Sequence, residues 1–370
     1  MKPLVVAVLA MFAVAAHASS TKFPTEHSPD SEIWIDYNDL DLVLSSAVLD
    51  MGPSTHKRAG RAQRDRMTNL YNGSRTASRF EGNRVAFHLF KKGHVAVVRA
   101  IRDDLLDLPN QIELSELSRN HQLAYFLNLH NSIVLLKIAE EYPVTRLDEF
   151  FDRNDPAAFI VSETFRWGDI EITLADIQDH VLENWSDPLV IYGFYMGAVG
   201  TPNIREEAFR ANSLYDQLRA NARDFVNSVR GTQIWGGSEL RVASYYERMA
   251  LKFPDFESDV LRHIKQYARP EFATRLVAVN RVDPRINDWN IADLYNGRLH
   301  TAGGTFHRTA VDGDGAILAQ RNLPIHVRQM LEGRAMNFRR FDGRVDIEEL
   351  DEGQVNELSG EGDTKPPEDQ

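Results

Sequence analysis

This sequence predicts an α+β fold: a helix-rich single domain with a small sheet and a buried central helix. Three observations carry that expectation. Across 114–141 apolar residues recur at helical spacing and cover nearly every side of the middle turns, with Leu123, Phe126, Leu127, Ile133, Val134, Leu136 and Ile138 among them. A helix apolar all round is one enclosed by its own protein. Short apolar runs at 159–167 and 170–173 flank Gly168 and read as paired strands around a turn. The composition, 43% hydrophobic and 26% charged, is that of a globular chain able to form a core without cross-links.

In chain order, residues 1–18 read as a signal peptide. Lys2 gives a short cationic start, 4–16 is an apolar run too brief to span a bilayer, and Ala16-His17-Ala18 is a small-residue cleavage site. A periplasmic or secreted location follows. Residues 19–31 are polar with two prolines and are expected to be disordered. The globular domain is expected over 32–299. A helix starts near Trp34, runs through Leu40, Leu44 and Val48, and stops at Gly52-Pro53. Residues 57–66 are basic and helix-compatible. The apolar runs 85–90 and 95–98, split by Lys91-Lys92-Gly93-His94, make a hairpin or a helix with a break. Periodicity does not arbitrate such short runs.

The central helix ends at Tyr142-Pro143, because the residue before proline avoids helical angles. Thr173 caps a following helix through Ile177 and Val181. Residues 189–195 form an unbroken apolar run expected to be a buried strand, closed by Gly197, Gly200 and Pro202. Helices are expected at 214–229, 245–253 and 261–267, with a short strand in 234–242. Glycine-rich turns then mark a C-terminal extension, 300–358, of short strands or helices. Residues 359–370 lack apolar side chains and read as a disordered acidic tail.

Charge and cysteine content narrow the functions. The formal charge is −12, or −13 without Lys2, and residues 346–370 hold ten acids against one lysine. The body from 19 to 345 is therefore near −4 and offers no basic field for nucleic acid. No apolar run after the signal is long enough to span a membrane. The chain contains no cysteine, so neither disulfides nor a thiol nucleophile are available.

Several constellations are candidates for chemistry. Asn128, His130 and Asn131 share the buried helix. Buried amides are costly unless bonded, and they can orient a site or anchor a loop, although no amide acts as an acid or base. His130 alone of the three can titrate. The loop from Met196 and Gly197 through Gly200 and Thr201 to Arg205 follows an apolar run, where folds often place sites. Thr201 is a nucleophile only beside a base, and the loop lacks the Gly-Lys-Ser/Thr of a phosphate loop. Asp312-Gly313-Asp314 and Asp342-Gly343 resemble calcium loops but lack most of the oxygen ligands, so turns are favoured and no metal or other cofactor is expected. Glu163, Glu171, Asp176 and Asp179 are carboxylates with nothing to mark them as a glycosidase pair.

Read together, several blocks resemble a known family. The run Leu123-Ala-Tyr-Phe-Leu-Asn-Leu-His-Asn131, the Glu141-Tyr-Pro-Val144 stop, Trp167-Gly168, Ile172-Thr-Leu-Ala-Asp-Ile177, Asp187-Pro188 through Pro202 and Arg205-Glu-Glu-Ala-Phe209 are similar in order and spacing to the bacterial domain of unknown function 547. Asn287-Asp-Trp-Asn290 resembles its closing signature, so the resemblance spans roughly 34–294. It implies an exported protein with distant kinship to papain-like or transglutaminase-like thiol enzymes. It also implies cysteines where this chain has Met196 and Thr201, and a Glu-His pair where it has Gln178-Asp179, with His180 one position late. A thioether cannot attack a carbonyl, and neither glutamine nor aspartate replaces imidazole at neutral pH.

The reading that follows is an exported, non-catalytic member of that family, binding a protein, peptide or envelope component through a Gly197–Arg205 cleft that Asn128 and Asn131 help to form. Two alternatives remain. One is a hydrolase of altered, non-thiol mechanism using Thr201, His130 or His180; the other is a structural envelope protein without a ligand site.

Overall fold

The computed structural model describes residues 22–61, 76–90 and 92–298. Its axis is the expected buried helix. A single short helical turn, Leu114–Glu116, comes first, and Ser118 then caps the long helix Arg119–Glu141, its hydroxyl accepting from the His121 N–H at 3.4 Å. Side chains on every face are buried from Gln122 to Ala139, including Asn128 and His130. In order of the chain this is α3. It follows α1 (Asn38–Ala47), the two-residue pair β1 (Val48–Leu49) and β2 (Arg84–Val85), and α2 (Lys92–Asp107). The hairpin-or-helix choice at 85–98 thus resolves into one short strand, a helical turn at Phe87–Leu89 and then a helix.

Two N-terminal expectations are corrected. Residues 22–31 are ordered rather than disordered: Phe23 is buried against Phe126, Trp167 and His180, Lys22 pairs with Asp176, and Gln122 Nε2 donates to the Glu26 carbonyl. One aromatic anchor outweighs the polar composition around it. The first helix starts at Asn38 instead of near Trp34, which is 69% exposed, because the Asp36 carboxylate accepts the Asn38 N–H at 2.9 Å. Residues 57–61 are not helical, and 62–66 lie outside the described residues.

After α3 come α4 (Phe159–Ser162) and the hairpin β3 (Thr164–Trp167) with β4 (Ile170–Thr173), paired Thr164 to Thr173 around Gly168. Helix α5 (Leu174–Asn184) begins on a capping box, Thr173 accepting the Asp176 N–H and Asp176 accepting that of Thr173. The run expected as a buried strand is instead a tight helical segment, Pro188–Gly193, entered through Asp187, whose carboxylate accepts the Leu189 N–H at 2.9 Å. Burial on all sides fits either state, and here proline at the first position favours the helical one.

The remainder wraps the other end of the core. Helix α6 (Leu214–Val226) leads into β5 (Thr232–Trp235) and β6 (Glu239–Ala243), an antiparallel hairpin where one strand was expected. The helix expected at 245–253 is only α7 (Tyr245–Arg248) plus one turn, and that expected at 261–267 is longer, α8 (Phe256–Tyr267). Proline 270 opens α9 (Pro270–Leu276) rather than merely ending α8. Strand β7 (Arg281–Ile286) then joins β6 in parallel at the edge of the three-stranded sheet, a position that tolerates Pro284. The fold is α+β as expected, with three small separate sheets among the described residues in place of one. No helix among the described residues is long and apolar enough to cross a membrane. The 300–358 extension, with its two calcium-like loops, and the 359–370 tail lie outside the described residues.

Candidate binding cleft

The amides of α3 act as substitutes for backbone. Asn128 donates to the Phe209 carbonyl and accepts the Phe209 N–H, both at 2.9 Å. Asn131 does the same one turn on, donating to the Gly193 carbonyl and accepting the Tyr195 N–H, again at 2.9 Å. Each satisfies two buried main-chain groups that have no strand neighbour, which ties the chain on either side of Met196 to the rigid central helix.

These bonds also set the state of His130. Asn131 Oδ1 is an acceptor, so the His130 Nδ1 at 3.0 Å carries the proton and donates to it. His130 Nε2 then accepts from Gln178 Nε2 at 2.9 Å. The Gln178 Oε1 accepts from Arg153 at 2.9 Å, and Arg153 reaches both Asp179 oxygens at 2.8 and 2.9 Å. Burial first, and the Arg153 charge as a lesser cause, hold the imidazole down at about 4 despite the Asn131 bond. His130 is therefore a neutral, satisfied core group with no lone pair turned to solvent.

Gln178 is the last buried link of that chain and borders an open cleft of about 640 Å³. The floor is apolar: Ile160 and Met196 are 1% exposed and Trp289 is 3% exposed. One wall is the loop 148–154, the other Ser244, Glu247 and Arg248 around α7, with Asn287 at the rim. Arg248 lies over the Trp289 ring, 4.4 Å from its centre, and donates to the Phe151 carbonyl. Desolvation lowers its pKa, and the Asp152, Asp148 and Glu247 carboxylates oppose that shift. Ser244 Oγ accepts from the Trp289 indole at 3.1 Å and sits 3.5 Å from the Asn287 amide oxygen. Among the described residues it is the one hydroxyl in the lining, and none of the lining residues is a histidine.

The expected Gly197–Arg205 cleft is closed. Residues 197–200 pair with 288–292: Ala292 N–H donates to Gly197 at 2.7 Å, Val199 N–H to Asn290 at 2.9 Å and Gly200 N–H to Asp288 at 2.8 Å. A Cβ on Gly200 would meet the Asp288 carbonyl at 2.8 Å, and one on Gly197, whose φ is +74°, would meet Leu147 at 2.7 Å. The glycines permit close packing and do not line a mouth. Thr201 is 1% exposed and its hydroxyl donates to the Ala198 carbonyl at 2.8 Å, with neither histidine nor carboxylate bonded to it. Arg205 pairs with Glu207 and borders, with Asn128 and Asn131, a void of about 10 Å³, too small for a ligand. His180 packs among Phe23, Phe126 and Trp185, remote in bonding from Thr201 and His130. Neither Thr201 nor either histidine forms a nucleophile–base pair.

Of the residues singled out from sequence, Met196 borders the open cleft, beside Gln178. The 148–154 loop, Glu247 and Arg248 were not anticipated, and Asn287 and Trp289 were read only as part of a family-like signature and not as cleft residues. A signal was present in the charged stretch Arg146 to Arg153, which follows a helix stop and carries five charged residues around two phenylalanines.

The fold and cleft define a cysteine-free α+β protein with a closed polar relay behind an open, apolar-floored groove. Residues 114–226 match the family described as Protein of unknown function, DUF547, and over that segment this chain resembles the family. The match is shorter than the expected 34–294 and excludes Asn287-Asp-Trp-Asn290. It contains the 148–154 loop, Gln178 and Met196, but not Ser244, Glu247, Arg248 or Trp289. No curated protein and no solved structure matches the chain.

Proposed function

We propose that this is an exported, non-catalytic binding protein that takes a peptide segment of a protein or envelope component into the cleft over Met196 and Gln178. The observation that carries this reading is the make-up of the cleft. Its floor offers a thioether at Met196 and an amide at Gln178 where the resemblance implies a thiol and a carboxylate, with Asp179 in place of the implied imidazole. Its one hydroxyl among the described residues, Ser244, is bonded to Trp289 and Asn287 and to no base. What the lining retains is suited to holding a chain: buried apolar side chains below, and charged and amide groups at the rim. Export rests on the 1–18 signal pattern, and cleavage after Ala18 leaves only three residues before Lys22 and Phe23, which dock on the core.

The test pairs binding with turnover. The mature chain should bind peptides in equilibrium measurements and return them uncleaved by mass spectrometry, and N-terminal sequencing of protein from the producing cell should begin at Ser19. Hydrolysis that co-purifies with the chain and disappears in Ser244→Ala would overturn the non-catalytic reading. A retained Met1 in the cell's soluble interior would overturn export.

A further inference from the structure

Resting on that reading of the cleft, we propose that its ligand is a basic peptide segment, in which a lysine or arginine lies next to an apolar residue. The cations around the cleft are already committed. Arg146 pairs with Asp148 at 2.8 Å, and Arg153 is held by Asp179 and Gln178. Arg248 is flat on Trp289 and donates to the Phe151 carbonyl. Three of the anions are not: among the described residues Glu149 and Glu247 are exposed at the rim and make no ion pair, and the Asp152 carboxylate accepts only from the Asn154 main-chain and side-chain N–H groups. The lining thus sets Asp148, Glu149, Asp152 and Glu247 against Arg153 and Arg248, which leaves a net negative rim.

An acidic ligand would compete with Asp179 and Gln178 for Arg153 and with the Phe151 carbonyl for Arg248. Wherever it took the donor it would leave a buried acceptor unpaired, which is penalised more than the new bond returns. A basic ligand displaces nothing: its ammonium or guanidinium meets Glu149 and Glu247 in water-exposed positions. Its apolar neighbour meets Ile160 and Met196. Rim charges of this kind steer encounter and fix sign preference more than they add affinity, so binding should weaken as salt rises.

Display selection of random dodecapeptides on the mature chain tests this, with affinities of the selected peptides then measured on variants. The selected peptides should be enriched in lysine and arginine. They should lose at least tenfold in affinity on a Glu149→Lys/Glu247→Lys chain, and lose binding on Asn287→Trp or, should that variant misfold, Asn154→Trp, each of which fills the rim. Peptides excluded by the tryptophan variants but without basic enrichment, or indifferent to the charge reversal, would overturn the basic class and leave peptide binding standing. Selection that yields no peptide excluded by either tryptophan variant would overturn both.

Discussion

Replacing Phe23 by alanine should destabilise the mature chain by about 3 kcal/mol. The ring is 4% exposed, with centroids 5.2 Å from Phe126 and 4.9 Å from both Trp167 and His180. Roughly 150–200 Å² of apolar surface at about 25 cal/mol per Å² gives about 4 kcal/mol as an upper bound. Core Phe→Ala changes span about 3–5 kcal/mol, and a chain end that can resettle belongs at the low end. The Lys22–Asp176 pair, with side chains 44% and 27% exposed, adds less than about 1 kcal/mol even if the whole strap lifts. Urea unfolding should therefore show a lower midpoint at unchanged slope, and the melting temperature should fall by roughly 6 °C. A second readout is independent of stability. Burial first, and Arg119 second, hold His180 down at about 4. Uncovering it should return its NMR titration toward the ordinary value near ~6.5. A buried neutral imidazole loses stability as pH falls from its unfolded pKa through its folded one, so the variant should also lose less on acidification than the unaltered chain. A midpoint change worth under about 1 kcal/mol together with an unmoved His180 would refute docking of this segment.

Two further outcomes follow from buried groups elsewhere. Glu81 is 3% exposed, and desolvation, followed by opposing attraction from Arg230, pushes its carboxyl up to about 8. Because the folded pKa lies above the unfolded one, its contribution is complete below pH ~4.5 and is lost as pH rises toward 8, at about 1.4 kcal/mol per pH unit. Unfolding free energies at pH 5, 7 and 9 should therefore fall more steeply for the unaltered chain than for Glu81→Gln, and parallel curves would count against a protonated Glu81. Gly197→Ala should cost about 2–4 kcal/mol, from a positive φ and overlap with Ile138 and Leu147; a melting temperature within 1 °C of the parent would contradict the packing described.

How much was legible in the sequence depended on whether the signal was local. The central helix was plain because its apolar periodicity and Pro143 agree, although its pattern was read from 114 and the helix starts at Arg119. So was the β3–β4 hairpin into α5, where Gly168 and the Thr173 cap mark the turns chemically. The segment 188–193 was not, because a run buried on all sides has no period to read, and its end is held by a side-chain amide, Asn131, 62 residues from Gly193. Residues 22–31 were missed because one buried phenylalanine does not alter a polar composition. The glycines at 197 and 200 misled in the opposite direction. Glycine marks both open loops and close backbone contact, and only the approach of 288–292 decides between them.

The cleft itself could not have been found from any one stretch, and its composition explains why specificity and scaffold separate here. Gln178 and Met196 are held by α3: the first through His130, the second directly after the bonds Asn131 makes to Gly193 and Tyr195. Both lie in the segment that resembles the family. Glu247, Arg248 and Trp289 form the opposite wall and lie beyond it. Changes to the floor propagate into a buried hydrogen-bonded relay, where each lost partner strands a polar group. Among the described residues the exposed Glu247 carboxylate makes no hydrogen bond or ion pair, so its charge can be altered without disturbing the core. A binding preference set at the rim is consequently free to differ between proteins that share the α3 scaffold, and exchanging the 244–248 and 287–289 segments should transfer ligand choice while leaving the His130 titration where it is.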